Sequence, residues 1–348
     1  MNFLLKFILF SIYYKIDKKQ IMKKLLRFII ITLAVIVVAG VSLISYVLFA
    51  LPSIPVTELK VEITSPRIER GKYLANHVMG CMGCHARRDW SRFSAPFITE
   101  TVGTGGEHWS KNFNFPGDLV SPNITPLHLG NWSDGEIFRA ITAGVSKDGH
   151  PLFPIMPYLN IGRLSKEDIY SVIAYIRSLE PRGELQPASK IDFPLSIIEH
   201  LMPKKGTFDL DPESSDSIKR GEYLITAASC NHCHTPQKKG RYVEELAYAG
   251  GFEFNLPTGG VVRSANLTPD PETGIGKWTR EQFLARFRAY SDSTFVPQKV
   301  ESGSYNTAMP WQYYGSMKEE DLSAIWDYLR SLKPIHHEVV KFTPPGGQ

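Results

Sequence analysis

Cysteine is scarce in this sequence: four in 348 residues, confined to two short pairs, Cys81 with Cys84 and Cys230 with Cys233. Four are too few for a disulfide scaffold, and pairing of this kind points to cofactor chemistry. An excess of one charge is also missing from most of the chain. The formal net charge is +4, but residues 1–27 hold seven Lys and Arg (Lys6, Lys15, Lys18, Lys19, Lys23, Lys24, Arg27) against Asp17 alone, leaving 32 basic and 34 acidic residues beyond them. Nucleic acid therefore loses its support as a partner. No segment alternates apolar and polar residues long enough for a convincing strand, and no Ser-His-Asp or paired-carboxylate constellation can be argued from position. With 43% hydrophobic and 21% charged residues, the chain is neither a disordered tail nor a multi-spanning membrane protein. Its length allows two ordinary cores.

Only one apolar run is long enough to span a membrane. From Phe28 to Leu51, 24 residues carry no ionisable side chain except Tyr46. As a helix this is about 36 Å, against a hydrocarbon core of about 30 Å. Lys23, Lys24 and Arg27 precede it, and a nearly neutral stretch (Glu58, Lys60, Glu62) follows. The positive-inside bias then places residues 1–27 in the cytoplasm and the remainder in the periplasm of a bacterium, with 28–51 an inner-membrane signal anchor. A cleaved signal peptide is the alternative, but the run is too long for one, and Leu48-Phe49-Ala50 puts Leu where a small residue belongs. The stretch Met1 to Tyr14 is interrupted by Lys6 and too short to span, and Met22-Lys23-Lys24 reads as a natural opening, so the start is either Met1 or Met22.

The body is built from an internal repeat. Arg70-Gly-Lys-Tyr-Leu returns as Arg220-Gly-Glu-Tyr-Leu, CMGCH at 81–85 as CNHCH at 230–234, and Asn123-Ile-Thr-Pro as Asn266-Leu-Thr-Pro. Ile155-Met-Pro-Tyr returns as Ala308-Met-Pro-Trp, and Tyr175-Ile-Arg-Ser-Leu-Glu-Pro as Tyr328-Leu-Arg-Ser-Leu-Lys-Pro. The order is kept, with offsets of 150, 149, 143, 153 and 153. Each copy is about 120 residues, the size of one small domain.

Arg70–His77 and Arg220–Ala227 read as helices leading into the cysteine pairs. A middle helix starts at Trp132-Ser133-x-x-Glu136 and again at Trp278-Thr279-x-x-Gln282. The last helix carries one apolar face in each copy: Ile169, Val172, Ile173, Ile176 and Leu179, then Leu322, Ile325, Trp326, Leu329 and Leu332. Capping boxes are expected at Ser165 with Asp168 and at Ser316 with Glu319, and Pro181 and Pro334 end these helices. The expected layout is a spacer at 52–64, domains at 65–182 and 215–335, a linker at 183–214 and a frayed tail at 336–348.

Two thiols three positions apart on a turn can reach the two vinyl groups of one porphyrin, and the histidine that follows is then held under the iron. Cys81 and Cys84 with His85, and Cys230 and Cys233 with His234, thus point to two covalently bound haem c groups. A zinc site would need the pairs to join around one metal although they lie 149 residues apart, and a thiol-redox pair leaves both histidines unexplained. The sixth iron position needs a thioether or imidazole found downstream in both copies. Met156 and Met309 qualify, 71 and 75 residues after their histidines and each 19 before the Tyr of the last helix. His150, six residues before Met156, is the alternative in the first copy. His128, Met202 and Met317 have no counterpart and read as surface or packing residues. Gly103-Thr-Gly-Gly reads as a turn rather than a phosphate loop, and His336-His337 as solvated residues.

On these motifs, residues 65–335 resemble a tandem class I c-type cytochrome, similar to the cytochrome c subunits of bacterial membrane-bound alcohol, aldehyde and sugar dehydrogenases. The resemblance implies an all-α fold of two small helical domains, each wrapped around one haem, behind one N-terminal transmembrane helix. It further implies that Gly71 and Tyr73 pack against Tyr175, that Gly221 and Tyr223 pack against Tyr328, and that Asn123 and Asn266 lie near the haem edges. Those subunits usually carry three such domains, whereas two copies occur here. The longer gap between Asn266 and Met309, 43 residues against 33, falls near Ser291–Ser304 and suggests a partner-specific loop. The expected function is electron transfer without catalysis. A membrane or periplasmic dehydrogenase or quinol-oxidising complex would donate single electrons, and an oxidase or another cytochrome of the respiratory chain would accept them. A dihaem peroxidase, in which one iron lacks its distal ligand, is the enzyme alternative, and a tethered sensor is a third class.

Overall fold

The computed structural model describes residues 3–113, 115–238, 240–291 and 294–347. They fall into two compact units, 1–53 and 54–348. In the first, one helix runs Phe3–Ala50 and is long and apolar enough to cross a membrane. It extends well before the expected start at residue 28, because lysines on a helix do not end it and the first proline of the chain is Pro52.

Both copies lie in the second unit. In copy one a leading helix, Ser65–Tyr73, is followed by the short helix Cys81–Cys84, a middle helix Asp134–Ala143 and a closing helix Lys166–Ser178. In copy two the same parts are Ser217–Ala227, Cys230–His234, Arg280–Arg288 and Glu319–Ser331. Reciprocal capping boxes start both middle helices, Ser133 with Glu136 and Thr279 with Gln282. Ser165 caps its closing helix by accepting from the Asp168 N–H. The expected Ser316–Glu319 box does not form, because the helix starts one residue after Lys318 and the Ser316 hydroxyl donates back to the Gln312 carbonyl.

Leading and closing helices cross at a glycine in each copy. A Cβ on Gly71 would lie 1.8 Å from the Ser171 carbonyl oxygen and 2.9 Å from Tyr175 Cβ; on Gly221, 2.1 Å from the Ala324 oxygen and 2.7 Å from Tyr328 Cβ. Only hydrogen fits there. The apolar faces read from the sequence are buried: Ile169, Val172, Ile173, Leu322 and Leu329 are all nearly inaccessible. With Leu74, Ile137, Ile225 and Phe283 they form one continuous apolar cluster across both copies.

The fold is mostly helical rather than all-α. Each copy carries a three-stranded antiparallel sheet, His108–Trp109, Gly117–Val120 and Lys190–Ile191 in the first, Glu253–Asn255, Val261–Arg263 and Phe342–Thr343 in the second. Strands of two to four residues are too short to leave an alternating pattern in sequence. Their third strands come from the segments read as linker and tail. Nor is the spacer free chain from residue 54 onward: the Val61 N–H donates to Asp134 Oδ2 at 2.8 Å, and the Thr57 carbonyl passes so close to Gly135 that a Cβ there would be 1.9 Å away.

Candidate functional site

The two cysteine turns are entered alike. Each is preceded by a residue in the left-handed region, Gly80 (φ 63°) and Ser229 (φ 54°), which turns the chain sharply out of the leading helix. Copy one has one more residue between its Arg-Gly-x-Tyr-Leu segment and the first cysteine, visible as the offset falling from 150 to 149. That residue is absorbed in a π-turn, Leu74–Val78, closed by the Met79 N–H donating to the Leu74 carbonyl at 2.7 Å.

Beyond each turn the histidine is oriented by a carbonyl. His85 Nδ1 lies 2.9 Å from the Pro122 oxygen, and His234 Nδ1 lies 2.7 Å from the Ala265 oxygen. A carbonyl only accepts, so Nδ1 carries the proton and the Nε2 lone pair is left for a metal. Burial holds both imidazoles below their ordinary pKa, which keeps them neutral, as ligation requires.

The carbonyls are fixed in turn. Asn123 Oδ1 accepts from the Thr125 N–H and hydroxyl while its Nδ2 donates to the Arg182 carbonyl; Asn266 does the same with Thr268 and the Ile335 carbonyl. The duplicated Asn-x-Thr-Pro segment thus clips the histidine's acceptor to the chain leaving the closing helix. A Gly-Gly pair, Gly105-Gly106 and Gly250-Gly251, lies alongside at positive φ, with the Gly105 and Gly250 N–H groups donating to the His85 and His234 carbonyls. This element was not recognised from sequence, although it too is duplicated.

Met156 and Met309 lie in loops, half-buried. Met309 is held from both copies: its N–H donates to Thr307 Oγ1, and its carbonyl accepts from the buried Ser94 hydroxyl of copy one at 2.6 Å. The alternative ligand His150 has a side chain 75% exposed, with Nε2 3.7 Å from Asp148. Met317 is buried as packing, as the sequence suggested. Beside the methionine loops, the buried Tyr158 and Tyr313 hydroxyls and Gln312 Nε2 have no hydrogen-bond partner in the polypeptide.

Burial pushes the Cys81 and Cys230 thiols up to about 12, far from the low values of reactive redox thiolates. Among the described residues no group of three or more His, Cys, Asp or Glu side chains is arranged to hold a metal ion by itself. These features disfavour the thiol-redox and zinc readings. They fit haem c: thiols in one helical turn, a neutral histidine with Nε2 available, and unpartnered buried donors that haem carboxylates would satisfy.

Comparison with known proteins bears this out for copy two, where residues 218–333 match the cytochrome c family model. A cytochrome c domain is therefore present. Over 281 residues the chain is 30% identical to the fructose dehydrogenase cytochrome subunit of Gluconobacter japonicus, covering 77% of this chain and 53% of that protein. It is 28% identical over 289 residues to the cytochrome c subunit of the quinone alcohol dehydrogenase of Komagataeibacter europaeus, covering 78% and 57%. It is 26% identical over 265 residues to a diheme cytochrome c-type protein of Cereibacter sphaeroides, covering 74% and 83%. The chain thus spans somewhat more than half the length of these dehydrogenase subunits.

Proposed function

We propose that the chain, with a cytochrome c domain in copy two, is a membrane-anchored carrier of single electrons holding two haem c groups. Cys81 and Cys84 bind the first and Cys230 and Cys233 the second; His85 with Met156, and His234 with Met309, ligate the irons. The observation that carries this is the duplicated histidine-to-carbonyl hydrogen bond, His85 to Pro122 and His234 to Ala265, which equips both copies alike for a metal at Nε2. Bound haem supplies reversible one-electron chemistry at iron, and His–Met ligation raises its potential and leaves no open position for a substrate. The polypeptide buries the histidines and keeps them neutral, and it holds Met309 through Ser94 and Thr307.

The helix Phe3–Ala50 supports anchoring in a bacterial inner membrane, with the basic residues before Phe28 in the cytoplasm and the haem domains in the periplasm. The names of the relatives support a dehydrogenase as donor, and an oxidase or second cytochrome is the fitting acceptor. The test is a spectroscopic redox titration of the full chain in detergent, with carbon monoxide and peroxide added to the reduced and half-reduced protein. Two haems per chain at positive potentials, neither binding carbon monoxide, is the expected result. A haem that binds carbon monoxide would remove Met156 or Met309 as a ligand, and one that also turns over peroxide would make the protein a peroxidase.

A further inference from the structure

The resemblance placed Tyr73 and Tyr223 within their own copies, but their hydroxyls cross to the other one. Tyr73 donates to Asp321 Oδ2 at 2.6 Å, and Tyr223 donates to Asp168 Oδ2 at 2.6 Å. Each aspartate is also held by the arginine of its own copy: Arg70 grips both Asp168 oxygens at 2.9 and 2.8 Å, and Arg220 reaches Asp321 Oδ1 at 2.6 Å. Asp168 and Asp321 are 6% and 2% exposed, so these carboxylates depend on their full set of donors. Tyr73 Oη also accepts from the Lys318 N–H at 3.0 Å, so a residue of copy one caps the closing helix of copy two, where the Ser316 box fails.

One hydrogen bond could act as a hinge, whereas two reciprocal ones fix rotation as well as separation. The same seam brings the cysteine turns together. The Tyr313 ring, four residues after Met309, lies against the turn of copy one, 2.8 Å from where a Gly83 Cβ would stand. Asn160, four residues after Met156, donates to Asn231 Oδ1 in the turn of copy two at 2.9 Å. The Tyr314 hydroxyl donates to the Ala228 carbonyl beside that same turn while lying 3.9 Å from a Gly80 Cβ.

We infer that Tyr73 and Tyr223 are positioning residues: through Asp321 and Asp168 they clamp the copies so that the two haem-attachment turns face each other at a fixed separation and angle. This rests on the reading of two haems. Two such chromophores held close and at a fixed angle give a bisignate, exciton-coupled circular dichroism signal in the Soret band, which reports their relative placement rather than the ligation of either.

The test compares the full-length holoprotein in detergent with the Tyr73→Phe/Tyr223→Phe double variant, the two single variants and Tyr175→Phe. The last loses a hydrogen bond of the same kind inside copy one, where Asn76 Nδ2 donates to the Tyr175 hydroxyl. Expected are a Soret couplet in the wild type and Tyr175→Phe, a reduced one in each single variant and loss of most of it in the double, with haem content and ligand-field bands unchanged. Amide exchange in Cys81–Cys84 and Cys230–His234 should quicken in the double variant. If the double variant does not fold, the single variants decide. A wild-type protein with two haems and no couplet, or an undiminished couplet in the variants, would overturn the clamp. One haem per wild-type chain would instead overturn the two-haem reading.

Discussion

Replacing Gly221 by Ala should be among the most damaging one-carbon changes in the molecule. Its Cβ would stand 2.1 Å from the Ala324 carbonyl oxygen, 2.8 Å from that carbonyl carbon and 2.7 Å from Tyr328 Cβ, where ordinary contact begins near 3.4 Å. The leading helix Ser217–Ala227 must then move more than about 1 Å from the closing helix Glu319–Ser331, a gap that forfeits a quarter to a half of the dispersion energy along the crossing. Leu224, Leu322, Ile325 and Leu329, each at most 5% exposed, lie on those two helices. Overpacking of this kind costs about 3 kcal/mol, the upper end of the usual range because the clash is with main chain. At about 2–4 °C per kcal/mol this is a drop of about 6–12 °C in Tm. The assay is thermal unfolding followed by far-ultraviolet and Soret circular dichroism. Gly240→Ala is the control: nothing lies within 4 Å of its Cβ, and its φ of 73° exacts only the cost of the left-handed region, about 1–2 kcal/mol. Since Ala324 contributes backbone, no side-chain truncation there should rescue Gly221→Ala. A loss no larger than that of Gly240→Ala, or rescue by Tyr328→Ala, would refute the close-approach argument.

Met309→Ala should open the second haem to carbon monoxide while leaving covalent attachment intact, read as a difference spectrum; unchanged ligation spectra would remove Met309 as a ligand. Cys230→Ala with Cys233→Ala should halve the haem content and destabilise copy two, measured by haem-to-protein ratio and proteolysis, and a variant that keeps tightly bound haem and folds normally would contradict this. Ser229→Gly should stabilise by roughly 0.5–1 kcal/mol, since a left-handed serine is strained where glycine is not, and chemical denaturation measures it. Burial holds the His77 imidazole below its ordinary pKa, so the folded state favours the neutral ring. Its contribution is whole above the ordinary imidazole range and lost as pH falls through it toward the lowered folded value, so His77→Gln should flatten the acid limb of a Tm-against-pH profile.

Much of the site was legible because the chain states it twice. A cysteine turn followed by histidine points to haem attachment, and its recurrence with Asn-x-Thr-Pro and Met-Pro-aromatic segments in the same order marks the parts of the candidate site. The closing helices were equally plain, since Ile169 to Ile176 and Leu322 to Leu329 keep one buried face over three turns. The short strands were not, because two to four residues carry no period. The π-turn at Leu74–Val78 was recoverable in principle from the one-residue change of offset, which a straight helix cannot absorb without shifting its buried face by about 100°. The Gly-Gly pairs show only when Gly105-Gly106 is set beside Gly250-Gly251, since Gly103-Thr-Gly-Gly by itself reads as an ordinary turn.

What duplication cannot reveal is the copy in which a partner lies. Tyr73 and Tyr223 are equivalent, as are Asp168 and Asp321, and an alignment of the copies looks the same whether Tyr73 meets Asp168 or Asp321. The choice is made by packing. Gly71 and Gly221 bring the crossing helices so close that the arginine one residue earlier fills the carboxylate of its own copy, and the tyrosine two residues later points to the other side of the helix. There the neighbouring copy offers a carboxylate oxygen: Asp321 Oδ2, which Arg220 leaves free, to Tyr73, and Asp168 Oδ2, shared with Arg70, to Tyr223. A buried aspartate gripped by arginine still has lone pairs to satisfy, and a tyrosine hydroxyl from across the seam supplies a donor without adding charge. The same economy places Ser94 of copy one on the Met309 carbonyl, a contact with no counterpart among the described residues of the other copy. Symmetric contacts hold the two copies together, and it is at the asymmetric ones, Ser94 with Met309 and Asn306 with the Trp90 and Arg92 carbonyls, that the methionine loop of copy two departs from that of copy one. Ser94→Ala should accordingly shift the potential of the haem in copy two and leave that of copy one in place, and equal shifts of both in a redox titration would show that Ser94 acts through the seam as a whole.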